Sequence, residues 1–171
     1  MLCAFYCSEY DENKGLDEYI QHHLIGNPDC VSYCLIDPDA ERIIGLFALS
    51  CSGIMVEWTD ENNRSHIKID PAVEIKIFAL DRDYQHTELE EYSDNRRTIG
   101  DFLFGVCVDY IHRQVCETFG ANKIVLYANS PDSASFYTRN SFKAFETDMR
   151  PDEQFFTDGC IPMYLPISPM I

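Results

Sequence analysis

The sequence predicts an α+β fold. Three observations point there: apolar runs of strand length recur along the chain, helical periodicities separate several of them, and 46% apolar residues in a chain of 171 can fill one core. No internal repeat, low-complexity segment or interior linker interrupts it, so residues 1–171 read as a single domain.

Residues 2–7, LCAFYC, are short, apolar and partly aromatic and give way to an acidic run, the pattern of a first strand. Leu16, Tyr19, Ile20 and Leu24 follow at helical spacing, with Gly26, Asn27 and Pro28 as the stop. Residues 31–36 and 43–56 are strand-like, and Asp37, Pro38, Asp39 and Ala40 between them set a hairpin turn. After a polar loop at 59–64, HIKID and AVEIKIFAL make a further strand with Glu74 and Lys76 on one charged face. Residues 81–94 carry six acids and almost no aliphatic side chain, the composition of an exposed loop.

Ile99, Leu103, Cys107, Ile111, Val115 and Phe119 then recur every four residues, and Gly120 stands where a helix C′ residue is expected. KIVLYA, 123–128, has the β-branched and aromatic content of a buried strand. Ser130 is a natural N-cap with Pro131 at the first helical position, and the short helix they open ends near Asn140. Residues 142–145 and 161–167 close the fold as strands, and Pro162 and Pro166 in the last suggest an edge.

Charge and cysteine content exclude several functions. Thirteen Lys+Arg against twenty-nine Asp+Glu give a net charge of −16, so the field of the whole molecule repels phosphate backbones and anionic membranes. Nucleic acid is therefore an unfavoured partner. The longest weakly polar stretch, 43–56, falls short of the ~20 apolar residues that span a bilayer. The start of the chain has no basic segment of a secretory signal, so the expectation is a cytoplasmic protein without membrane contact. Eight cysteines without zinc-site spacing or an export signal read as thiols, mostly small buried hydrophobes, and no metal is expected.

The order of a strand (VEIKIFAL), a loop, a helix beginning RRTIG, a strand (IVLYA) and then SFYTRNSF resembles the acetyl-CoA-dependent N-acetyltransferases of the GNAT superfamily. The likeness is specific over 73–145 and rests on element order before that. It implies a three-layer α/β arrangement, with a mixed, mostly antiparallel central sheet of about six to seven strands flanked by helices. It also implies acetyl-CoA as cosubstrate. In that family a helix N-terminus wraps the pyrophosphate, because unpaired N–H groups and the positive end of the helix dipole favour an anion. The corresponding motif falls on Asn95, Arg96, Arg97, Thr98, Ile99 and Gly100, where only Gly100 matches the family glycines. Arg96 and Arg97 can compensate by bidentate phosphate binding, or can be a solvated pair matched to nearby acids.

The resemblance further implies that Phe78, Ala79 and Leu80 offer backbone groups to the cosubstrate, one N–H also polarising the thioester carbonyl. Asn129 stands in the family's asparagine turn, and Phe136 and Tyr137 stand in its Phe-Tyr-x-x-x-Gly-Phe segment, with Ser141 replacing the glycine. Tyr137 would protonate the departing thiolate; its alternative is a core aromatic beside Phe142. Glu74 would take the proton of the acceptor amine, since an ammonium has no lone pair with which to attack; its alternative is a solvated or salt-bridged strand residue.

The acidic stretches favour a cationic acceptor, either a small amine or a peptide amine, attacked directly in a ternary complex. Two other readings stay open. Some small GNAT members are toxins that acetylate aminoacyl-tRNA, whose acceptor would have to overcome the −16 charge. The altered phosphate loop also permits a catalytically weak binding module. An edge strand at 161–167 would permit a homodimer.

Overall fold

The computed structural model describes residues 2–8, 14–89, 98–116, 120–151 and 159–167. Their strands are β1 (Val31–Asp37), β2 (Arg42–Thr59), β3 (Ser65–Leu80), β4 (Lys123–Ala128), β5 (Lys143–Ala144), β6 (Met149–Pro151) and β7 (Ile161–Pro166). The helices are α1 (Lys14–His22), α2 (Ile99–Ile111) and α3 (Pro131–Arg139). Hydrogen bonding orders one seven-stranded sheet β1-β2-β3-β4-β7-β5, with β6 on β2. The β3–β4 pair is parallel and β1–β2, β2–β6, β4–β7 and β5–β7 are antiparallel, which is the mixed sheet expected. The chain divides into two compact units, Met1–Leu49 with Lys76–Asp109, and Ser50–Ile75 with Tyr110–Ile171.

In the first unit the expected N-terminal strand is absent. Leu2–Ala4 form a 3-10 turn, and the segment satisfies its backbone largely through side chains instead of a ladder. The Asp17 carboxylate of α1 accepts from the N–H groups of Cys7 (2.8 Å) and Ser8 (3.3 Å) and from the Ser8 hydroxyl, and Gln21 Nε2 donates to the Phe5 carbonyl at 2.8 Å. Burial works against the charge of Asp17, yet these bonds hold its carboxyl below the usual range. Apolar content alone does not separate a strand from such a packed turn. Phe5 joins Ile20, Leu24, Ile43, Leu46, Ala48, Ile77 and Ala79 in one core.

The β1–β2 hairpin forms as expected. Asp37 Oδ1 accepts the N–H groups of Asp39 (3.0 Å) and Ala40 (3.1 Å), which folds the turn, and a bulge lies between Leu35 and Ile36. Gly45 is required where it stands: a Cβ there would lie 2.6 Å from Leu103 Cδ2 and 3.0 Å from the Ala79 carbonyl. On α2, Leu103, Phe104 and Cys107 are buried, and large apolar side chains such as Leu103 and Phe104 each stabilise the fold by about 1.5–3 kcal/mol.

In the second unit the α2 pattern passes through buried Ile111 into a π turn at His112–Cys116, and the expected continuation to Phe119 falls on 117–119, outside the described residues. Gly120 has φ +69°, in the left-handed region that favours glycine. β4 coincides with the expected KIVLYA run and pairs with all of β7. Ile54, Ala72, Val125 and Tyr164 form the core.

β7 is not an edge strand, because β5 covers its other side. The prolines are tolerated for a geometric reason. Phe145 N donates to the Pro162 carbonyl at 3.1 Å, so Pro162 directs its backbone groups toward β5, and Pro166, an even number of residues on, faces the same way. β5 pairs only with Met163 and Tyr164, and neither proline removes a rung from the β4–β7 ladder. The edge-strand argument for a homodimer loses its basis.

The cysteines also depart from expectation. Cys107 is buried, which pushes its thiol up to about 12, but Cys3, Cys34 and Cys51 are exposed.

Candidate active site

The expected site residues fall in both units. In the first, the start of α2 is occupied by its own side chains. Thr98 Oγ1 accepts from Asp101 N at 3.2 Å, and Asp101 Oδ2 accepts from Thr98 N at 3.1 Å: a reciprocal capping box. Ile99 N donates to the Thr87 carbonyl at 3.0 Å, and Gly100 is buried. Arg96 and Arg97 lie outside the described residues. The expected anion site therefore carries a carboxylate in its first turn. That cap was legible as Thr-x-x-Asp at 98–101, and the sequence reading missed it.

Phe78, Ala79 and Leu80 form the C-terminal end of β3. The parallel ladder to β4 runs from Ala72↔Lys123 to Glu74↔Val125 and, among the described residues, has no rung beyond. Phe78 packs edge-on to Phe104 with ring centroids 5.1 Å apart, and Ala79 is buried. The Leu80 carbonyl accepts from Gln85 Nε2 at 3.1 Å.

In the second unit Glu74 is 3% exposed. It is not on a solvated charged face, and Lys68 pairs with Asp70, at 2.6 Å. Ser50 on β2 donates its hydroxyl to Glu74 Oε2 at 3.3 Å. Two residues on, and so on the same strand face, the Ser52 hydroxyl is buried with no hydrogen-bond partner among the described residues. Neither serine was singled out from sequence, because a strand serine carries no motif.

Asn129 is exposed, and its Oδ1 accepts from Ser133 Oγ at 2.9 Å beside the expected Ser130 cap. Tyr137 sits in the last turns of α3, half-buried, with ring centroids 5.3 Å from Phe136 and 6.2 Å from Phe142. Phe142 is the fully buried member of the trio. Arg139 lies over the Phe136 ring at 5.2 Å. Ser141, where the family motif has glycine, has φ +72°, in the left-handed region that favours glycine.

Among the described residues, no cluster of three or more His, Cys, Asp or Glu is placed to hold a metal, and no helix is long and apolar enough to cross a membrane.

No protein-family model matches the chain, and no curated protein matches it in sequence. Solved structures do match in fold. The complex AtaTR bound with acetyl-CoA is 18% identical, with a TM-score of 0.67, covering 97% of this chain and 86% of the other. AtaT complexed with acetyl-methionyl-tRNAfMet is 16% identical, with a TM-score of 0.63, covering 97% and 87%. The KacTA–DNA complex is 18% identical, with a TM-score of 0.61, covering 95% and 83%. The chain has the GNAT fold.

Proposed function

We propose that the protein is an acetyl-CoA-dependent N-acetyltransferase whose acceptor is the α-amine of an aminoacyl-tRNA. The observation that carries this reading is the shared fold, over 97% of the chain, with AtaT complexed with acetyl-methionyl-tRNAfMet. It favours this acceptor over the small or peptide amine inferred from composition, and it weighs against the expectation that nucleic acid is unfavoured. Net charge describes the field of the whole molecule, whereas an acceptor end engages only a local surface.

The residues fit acetyl-CoA unevenly. The backbone of 78–80 lies past the last β3–β4 rung, which suits pairing with an extended amide arm, while Asp101 opposes a phosphate at the start of α2. Acetyl-CoA, when bound, supplies an activated thioester. Glu74 receives one proton of the acceptor ammonium, whose nitrogen lone pair then forms the amide bond as the carbon–sulfur bond breaks, and the nitrogen releases its second proton to solvent. A backbone N–H of 78–80 stabilises the charge on the carbonyl oxygen. Tyr137 gives its phenolic proton to the departing sulfur, and solvent reprotonates it.

Transfer of labelled acetyl from acetyl-CoA to aminoacylated total tRNA tests this, with spermidine as the parallel acceptor. Label in the tRNA fraction is the expected result. Label in spermidine alone would restore the cationic-amine reading, which the −16 charge favours. Acetyl-CoA binding without transfer to either would leave a binding module.

A further inference from the structure

We infer that Ser50 and Ser52 of β2 build, with Glu74 of β3, the subsite for the acceptor: Ser50 positions the carboxylate, and Ser52 donates to the carbonyl oxygen next to the reacting amine. This inference rests on the reading of the protein as an aminoacyl acceptor enzyme. A buried carboxylate is kept ionised by donors, and the Ser50 hydroxyl at 3.3 Å from Glu74 Oε2 is such a donor. The Ser52 hydroxyl lies two residues along the same face, and a buried hydroxyl without a protein partner is costly unless something else satisfies it. The surrounding wall is apolar: Ile54 continues the same face of β2, and Ala72 and Val125 pack with it beside the strand positions that carry Glu74.

An α-amino ester carries the two complementary groups. Its ammonium meets the carboxylate that must take its proton, and its ester carbonyl, one bond from the amine-bearing carbon, is an acceptor for a hydroxyl donor a short distance along the strand. A simple alkylamine lacks that carbonyl and would leave Ser52 unsatisfied. Such a site rejects analogues lacking the polar group, which makes Ser52 a specificity residue for aminoacyl over plain amines.

The test uses the full chain, wild type and the variants Ser50→Ala, Ser50→Thr, Ser52→Ala and Ser52→Thr, each checked by circular dichroism melting. With aminoacylated tRNA, Ser52→Ala should raise the acceptor KM about 5-fold or more while the acetyl-CoA KM stays put, and Ser52→Thr should recover most of it. Ser50→Ala should move the acidic limb of the kcat/KM pH profile upward by about half a unit or more, with Ser50→Thr restoring it. An unchanged acceptor KM in Ser52→Ala and an unmoved profile in Ser50→Ala would overturn the inference while leaving the acetyltransferase reading intact. A second readout is independent of turnover: carbon NMR of the Glu74 carboxyl titrated with L-methionine methyl ester. A shift in the wild type that Ser52→Ala abolishes supports the subsite even if tRNA is not acetylated. No shift, or the same shift in both proteins, counts against it.

Discussion

Thr98 and Asp101 cap one another at the start of α2, the hydroxyl of one accepting the N–H of the other at 3.2 Å and the carboxylate accepting in return at 3.1 Å. The cap stabilises the helix and places a negative charge where a pyrophosphate is proposed to bind, so helix stability and cosubstrate affinity oppose each other at this turn. A first-turn carboxylate is worth about 0.3–1 kcal/mol to a helix. Asp101→Asn should lower thermal stability by that order and tighten CoA binding by about 2–5-fold. Calorimetric titration with CoA beside thermal melts reads both, and weaker binding in the variant would contradict the phosphate assignment.

Tyr137→Phe keeps the ring that packs against Phe136 and Phe142 and deletes only the proton. If the phenol serves as general acid, kcat falls by about 100-fold and acetyl-CoA affinity stays within about 2-fold. Loss of stability with unchanged turnover per folded molecule would instead make Tyr137 a packing residue. Unfolding curves recorded beside the kinetics separate these outcomes.

Ser141 holds φ +72°, a region that costs an L-residue roughly 1 kcal/mol and glycine very little. Ser141→Gly should therefore stabilise the protein, offset in part by the greater freedom of the unfolded chain, for a net gain of about 0.5 kcal/mol. Ser141→Val should lose more than 1 kcal/mol, by roughly the same conformational argument. Urea midpoints report the sign directly.

Asp70 is bonded by Lys123 and, at 2.6 Å, by Lys68, and these bonds hold its carboxyl below the usual carboxylate range despite the opposing effect of burial. Its folded value lies under its unfolded one, so the stability it contributes is present above the unfolded value and is lost as pH falls through the folded one. Asp70→Asn should cost about 2 kcal/mol at neutral pH, because Lys123 is left largely buried without its charged partner. The difference from wild type should shrink from about pH 4 downward. Urea denaturation across that range checks it; a pH-independent difference would assign the loss to packing.

By itself the sequence determined the elements whose signals are local. KIVLYA coincides with β4, and the Ser130–Pro131 start of α3 and the stop near Asn140 appear as read, because caps and branched side chains act over a few residues. Tertiary structure decided whatever depends on a partner distant in sequence. LCAFYC became a 3-10 turn and an irregular segment because groups such as Asp17 and Gln21 answer its backbone, and β7 became an interior strand because β5 returns to cover it. The setting of Glu74 is the clearest case: a hydroxyl donor to it comes from Ser50, 24 residues earlier on another strand. A strand's two-residue period assigns a side chain to a face, but only sheet register decides which residue of the neighbouring strand stands beside it there.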